Sequence, residues 1–143
     1  MKLIADSGST KTDWVLIDSE PIFFTSPGLN PNILEDKIIV QELQKITVLT
    51  ENKSAIKEIY FYGAGCASPE NCTRLASIFK DLFPEAIVVI KSDIEGAAFA
   101  ANNGKPGIVA LLGTGSNSCF FDGEIIYGGD FSLGYILGDE GSG

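Results

Sequence analysis

A short three-stranded unit occurs twice in this chain, and that repeat constrains the fold more than any other feature. In the first copy, the apolar run Lys2–Asp6 is broken by Ser7-Gly8-Ser9-Thr10 and resumes at Trp14–Ile17. The turn chemistry of Asp18-Ser19-Glu20-Pro21 then leads to a third strand at Ile22-Phe23-Phe24. In the second copy, Ile108–Leu112 is broken by Gly113-Thr114-Gly115-Ser116 and resumes at Ser118–Phe121. Asp122-Gly123, a strong hairpin signal, precedes a return strand at Ile125 and Ile126. A duplicated meander implies two similar domains facing each other.

Between the two copies the pattern is strand and helix in alternation. Pro27–Asn32 reads as a loop, and Leu34, Ile38, Ile39, Leu43 and Ile46 share one face of a following helix. Ile59–Tyr62 is a strand that ends at Gly63-Ala64-Gly65. Ser68-Pro69-Glu70 has the form of an N-cap, a proline in the first turn and an acid beside the helix N-terminus. Cys72, Leu75, Phe79 and Leu82 form the stripe of that helix. Ala86–Ile90 is nearly all apolar, which suits a strand covered on both faces. Asp93–Asn103 is Ala-rich and stops at Gly104. The boundary expected from this pattern separates an N-terminal lobe, residues 1–105, from the first strands of a C-terminal lobe, residues 106–143. The second lobe looks cut short, because no helices remain to cover its sheet. The chain is therefore expected to be an N-terminal fragment, inactive by itself, or a protein that needs another chain.

Composition narrows the chemistry. The 143 residues contain no histidine, so neither a Ser-His-Asp triad nor a histidine metal site can be built. Acid–base work falls to carboxylates, Lys, Tyr or Cys. The net charge of −9 argues against nucleic acid or an anionic membrane as a general partner. A polyanionic ligand would have to be held by backbone N–H groups and a metal ion. Cys66, Cys72 and Cys119 contain no C-x-x-C pair and read as small hydrophobes. A charge arrives at Lys2, and again at Asp6, too early for a signal peptide, and no apolar run reaches the roughly 20 residues of a membrane span. A cytoplasmic protein is expected.

Several polar clusters could carry chemistry. Asp6-Ser7-Gly8-Ser9-Thr10-Lys11-Thr12 lies between two strands, where successive N–H groups, hydroxyls and Lys11 can cradle phosphate oxygens. Asp6, at the end of a buried strand, could hold Mg²⁺ through water, since hard cations prefer oxygen. A polar hairpin is the bland alternative; a P-loop is excluded because its motif is absent. Gly113-Thr114-Gly115-Ser116-Asn117 offers the same chemistry, and two such turns at matching places could grip the β- and γ-phosphates from both sides. Asp93 starts a helix, whose N-terminus favours the ionised carboxylate. It could accept a proton from a substrate hydroxyl during phosphoryl transfer, or simply cap the helix. Gly63-Ala64-Gly65-Cys66-Ala67-Ser68 approximates a dinucleotide fingerprint but lacks the third glycine, so close backbone packing is the better account. Asp139, in Gly138-Asp139-Glu140-Gly141-Ser142-Gly143, could hydrogen-bond ligand hydroxyls, approach a metal, or sit in a solvated loop.

In this order, Asp6-x-Gly8-x-Thr10-Lys11, Asp93, Gly113–Asn117 and Gly138–Ser142 resemble the N-acetylglucosamine kinase family. That family groups with the BadF/BadG-type ATPases in the sugar kinase and actin superfamily. The resemblance covers essentially the whole chain and corresponds to the first half of such a protein. It implies an α/β, ribonuclease-H-like (actin-like ATPase) fold, with a mixed five-stranded sheet, helices and the start of a second similar domain. It also implies ATP, Mg²⁺ and phosphoryl transfer to the 6-hydroxyl of an amino sugar, and a homodimer as the full-length protein. On the matching positions, Gly8, Ser9, Thr10 and Lys11 with Gly113, Thr114 and Gly115 would bind nucleotide, and Asp6 would be associated with Mg²⁺. Asp93 would be the catalytic base and also bind the sugar, with Asn30, Ser116, Asn117, Gly134 and Asp139 as further sugar contacts. Animal members place Trp near the positions of Asn32 and Leu133. Its absence here leaves N-acetylmuramate or another hexosamine open beside N-acetylglucosamine. The alternatives are an ATPase that activates a reductase or dehydratase, and a non-catalytic nucleotide or sugar sensor.

Overall fold

The computed structural model of the chain describes residues 1–113 and 116–128. Twelve elements follow one another among the described residues. The first five are β1 (Lys2–Ser7), β2 (Lys11–Ile17), β3 (Ile22–Pro27), α1 (Asp36–Lys45) and α2 (Thr47–Glu51). Next come β4 (Glu58–Gly63), α3 (Pro69–Leu82), β5 (Ile87–Ser92) and α4 (Asp93–Asn102). The last three are β6 (Gly107–Leu112), β7 (Ser116–Phe121) and β8 (Ile126–Gly128). They divide into two compact units, Met1–Asp93 and Ile94–Gly143. The connection at residues 102–107 lies inside the second unit, between its helix and its sheet.

The first unit is built on a mixed five-stranded sheet of order β3-β2-β1-β4-β5. β1, β2 and β3 pair antiparallel as a meander, while β1, β4 and β5 run parallel. Alternation fixes which face is buried. Leu3, Ala5 and Ser7 of β1, Thr12, Trp14 and Leu16 of β2, and Ile59 and Phe61 of β4 point to one side. There they meet Ile39 and Leu43 of α1 and Leu75, Ile78 and Phe79 of α3. Trp14 sits at the centre of an aromatic cluster, stacked on Phe24 at 6.0 Å and tilted against Phe61 at 6.1 Å and Phe79 at 6.5 Å. Its indole N–H donates to Ser26 Oγ at 2.9 Å, so the buried polar atom is satisfied.

Helix α3 begins where its sequence says it should. Ser68 Oγ accepts from Asn71 N at 3.2 Å, Pro69 occupies the first turn, and Glu70 lies near the positive helix end. Several details differ from expectation. Leu34, expected on the face of the helix after the loop, lies before α1, and Ile125 lies before β8. Ile46, expected on the face of a single helix, adopts extended backbone and separates α1 from the short α2, which buries Leu49. β5, an edge strand among the described residues, is covered on one face and open at its start on the other. Val88 and Ile90 pack into the core, whereas Ile87 is 69% exposed.

The second unit is α4 and the three-stranded antiparallel sheet β6-β7-β8. Ile94 and Ala98 of α4 pack with Val109, Cys119 and Phe121. Its helix ends through Asn103 and Gly104, both at positive φ. Strands β6, β7 and β8 repeat the connectivity of β1, β2 and β3, as the duplicated meander requires.

Candidate functional site

The parallel strands decide where the site of the first unit can be. In the paired registers Ser7 lies opposite Gly63, and Gly63 opposite Ser92. β1, β4 and β5 therefore finish at one edge of the sheet. Three segments leave from this edge: the turn after β1, the loop 64–68 after β4, and Asp93 after β5. The carboxyl edge of parallel strands is where open α/β sheets bind ligands, because backbone groups and helix N-termini converge there.

The turn from β1 to β2 is closed by Gly8 N donating to Lys11 O at 2.9 Å. Ser9 and Thr10 form its exposed tip. Among the described residues nothing accepts from their backbone N–H groups or hydroxyls. Four uncommitted donors on two adjacent residues form a cradle suited to phosphate oxygens. The turn rests on a second segment. Ser7 Oγ bonds Thr12 Oγ1 at 2.8 Å and accepts from Leu29 N at 3.1 Å; Thr12 Oγ1 donates to Pro27 O at 3.2 Å. Gly28 N donates to Thr10 O at 3.0 Å. A Cβ on Gly28 would lie 2.4 Å from Gly8 O and 2.5 Å from Ser9 C and O, so only glycine fits beneath the turn.

Asn30 is buried in the same loop. Its amide donates to Ser9 Oγ at 2.8 Å and accepts from Asn32 N at 2.9 Å. Gly65, at φ +81, presses its Cα against this amide; a Cβ there would meet Asn30 Oδ1 at 2.3 Å. Asn71, in the first turn of α3, donates to Gly65 O and to Asn32 Oδ1, each at 2.7 Å. Arg74 donates to Pro31 O at 2.6 Å and Leu34 O at 2.7 Å, and also pairs with Asp36. Loop 27–34 is thus held by the phosphate turn on one side and by α3 on the other.

Asp6 stands on the opposite sheet face from Ser7, directly across from Asp13 on β2 and Tyr62 on β4. Lys11 forms an ion pair with Asp13 at 2.8 Å. Asp6 is exposed, but partial loss of hydration beside the sheet, then repulsion from Asp13, hold its carboxyl above the ordinary range, and Lys11 opposes them. Two carboxylates thus face one cation. Oxygen donors with unbalanced negative charge fit a hard divalent ion such as Mg²⁺. Asp93 opens α4, and its carboxylate is close enough to Cys66 to disfavour the thiolate there. Burial does so more strongly, followed by Cys72, and together they push the Cys66 thiol up to about 12.

The structure therefore brings Asp6, Gly8, Ser9, Thr10, Lys11, Asn30 and Asp93 to one edge of one sheet. In the second unit, Leu112 pairs with Ser116 and Leu111 with Asn117, so Gly113, Ser116 and Asn117 bracket the turn between β6 and β7. Asn117 Oδ1 accepts from Ser118 N at 2.8 Å. Thr114, Gly115, Gly134 and Asp139 lie outside the described residues. Sequence reasoning missed Gly28, Asn71 and Arg74, which support the site from a distance in sequence. The only local signal was Gly28 beside Asn30 in a Pro/Gly/Asn-rich loop.

No protein-family model and no curated protein matches the chain. Among solved structures, a proposed N-acetylglucosamine kinase from Porphyromonas gingivalis is similar over 99% of the chain, with 41% identity and a TM-score of 0.89. The chain spans 52% of that protein. A ROK hexokinase from Thermus thermophilus is similar over 87% of the chain and 47% of its own, at 11% identity and a TM-score of 0.55, a likeness of fold alone. The fold is thus the actin-like ATPase fold that the resemblance implied.

Proposed function

We propose that this chain, which resembles the N-acetylglucosamine kinase family over nearly its whole length, is part of an ATP-dependent kinase that phosphorylates the 6-hydroxyl of an amino sugar, with N-acetylglucosamine as the first candidate. The single observation that carries this reading is the juxtaposition at the sheet edge. A turn with uncommitted N–H and O–H donors and a helix-opening carboxylate leave the same end of the parallel strands. Phosphoryl transfer asks the protein mainly for positioning and charge stabilisation, and such a turn supplies both.

Ser9 and Thr10 donate to the nucleotide's phosphate oxygens, with Lys11 adding positive charge at the end of the turn. Gly113, Thr114 and Gly115 are assigned the matching role in the second unit. Asp93, at the first position of α4, accepts the proton of the attacking sugar hydroxyl. Asn30, Ser116, Asn117, Gly134 and Asp139 are assigned to the sugar. Asp6 would hold Mg²⁺, which when bound neutralises charge on the phosphates. A cytoplasmic homodimer is the expected assembly of the full-length protein.

The test uses the full-length protein. Asp93→Asn should lower sugar-dependent ADP release by about 10²-fold or more, because a positioned general base contributes roughly 10²–10⁴-fold. Near-normal turnover would sink the assignment. A panel of N-acetylglucosamine, N-acetylmuramate and other hexosamines, with 6-deoxy analogues as blanks, identifies the sugar and the acceptor hydroxyl. ADP release that ignores every sugar would instead point to an ATPase.

A further inference from the structure

The side chains around the phosphate turn fix the direction of each hydrogen bond, and the direction at Ser9 has a consequence for ligand binding. The backbone N–H of Asn32 can only donate, so the Asn30 side-chain atom 2.9 Å away is the carbonyl oxygen. The other end of the Asn30 amide, 2.8 Å from Ser9 Oγ, is then the NH₂ group, which can only donate. Ser9 Oγ therefore accepts from Asn30, and its single proton must point elsewhere. Among the described residues nothing receives that proton.

The same logic runs through the neighbouring amides. Gly65 O can only accept, so Asn71 presents its NH₂ group there, and the second proton of that group goes to Asn32 Oδ1. Asn30 itself is 8% exposed and has Gly65 against its oxygen, and the donor at Asn32 N fixes which end of the amide is the carbonyl. Inverting the amide would set its NH₂ group against Asn32 N, losing that bond, and would turn the Ser9 bond around.

We propose that Asn30 is a positioning residue of the phosphate turn: by donating to Ser9 Oγ it commits the Ser9 hydroxyl to donate outward, to an anionic oxygen. The inference rests on the nucleotide reading above. It gives Asn30 a role through Ser9, separate from any direct contact with sugar. Asn71 and Gly65 hold the amide in its one useful orientation.

Binding of MgATP to the full-length protein without sugar, measured calorimetrically, tests this through a double-mutant cycle. In Asn30→Asp the carboxylate still accepts from Asn32 N but can no longer donate to Ser9. The Ser9 hydroxyl then turns inward to bond the carboxylate. MgATP affinity should fall roughly tenfold or more, the scale of a lost hydrogen bond to a charged group. Ser9→Ala should lose a similar amount, and the double variant should lose clearly less than the sum of the two, the remainder being repulsion from the new carboxylate, which does not need Ser9. Asn30→Ala, which adds no charge, should show a smaller loss that also disappears in the Ser9→Ala background, and it serves if the Asp variant does not fold. Additive losses, or an Asn30 variant that raises the sugar KM while leaving MgATP affinity intact, overturn the proposal. A wild-type protein that binds no MgATP overturns the kinase reading and this inference with it.

Discussion

Replacing Gly28 by alanine would place a methyl carbon 2.4 Å from Gly8 O and 2.5 Å from the carbonyl of Ser9. Both obstacles are backbone, so no rotamer change relieves the contact. An ordinary van der Waals separation needs a displacement of about 1 Å, and overpacking of this kind costs about 1–3 kcal/mol. The turn can escape only by moving away from loop 27–34. That strains the bond from Gly28 N to Thr10 O at 3.0 Å and the bond from Asn30 to Ser9 Oγ at 2.8 Å. Each such bond contributes about 0.5–1.5 kcal/mol. Gly28→Ala should therefore destabilise the protein by about 2–4 kcal/mol. At about 2–4 °C per kcal/mol, the midpoint should fall by roughly 5–15 °C.

Trp14, the one tryptophan in the chain, reports the transition by fluorescence, because it is buried among Phe24, Phe61 and Phe79. In the full-length protein, sugar-dependent turnover below the new midpoint should fall about 10²-fold, the scale expected when donors move by about 1 Å. Gly8→Ala supplies the internal control. Its Cβ would meet only Lys11 O, at 3.5 Å, so stability should change by less than about 0.5 kcal/mol. An unshifted midpoint and unchanged turnover in Gly28→Ala would refute the view that loop 27–34 sets the height of the turn.

Four further outcomes follow from the same geometry. Arg74→Lys should cost about 1–3 kcal/mol in chemical denaturation, since an ammonium cannot reach Pro31 O, Leu34 O and Asp36 together as the guanidinium does; an unchanged midpoint would remove Arg74 as the clamp of the loop. Ser68→Ala should cost about 1 kcal/mol through loss of the α3 cap, whereas Ser68→Asp should retain most of it. Cys66 should resist alkylation in the native protein at pH 8 while the half-buried Cys72 labels first, as mass spectrometry of timed samples would show. Because the Cys66 thiol is raised to about 12 from an ordinary 9, the folded state keeps its proton where the unfolded chain loses it, so the thiol's contribution to stability is intact below about pH 9 and lost as pH rises toward 12. The stability gap between wild type and Cys66→Val should accordingly shift against wild type between pH 8 and pH 10.5.

How much of this was legible beforehand depends on the sequence distance over which each feature is determined. The meanders, the N-cap of α3 and the C-terminal stop of α4 are specified by neighbours a few residues apart, and the structure places them where local chemistry puts them. The expected single helix divides at Ile46 because tertiary packing buries Leu49 on a separate turn, a preference that no local pattern encodes. β5 reads as covered on both faces because Ala86–Ile90 is nearly all apolar, yet whether Ile87 is covered depends on which segments pack over that face, which composition does not encode. The candidate site divides in the same way. Asp6, the turn 8–11 and Asp93 each announce themselves by residue type at the end of a strand. Gly28, Gly65, Asn71 and Arg74 do not, because their roles exist only once segments about 20–40 residues apart in the sequence meet. A glycine that must be glycine is visible in sequence only when its own turn demands it. Gly28 is constrained instead by the backbone of another turn. Pairing Gly28→Ala with Asn30→Asp follows from this: both act on Ser9, from below and from the side, so their effects on MgATP affinity should be less than additive. Full additivity in the double variant would mean that the turn receives the two supports independently.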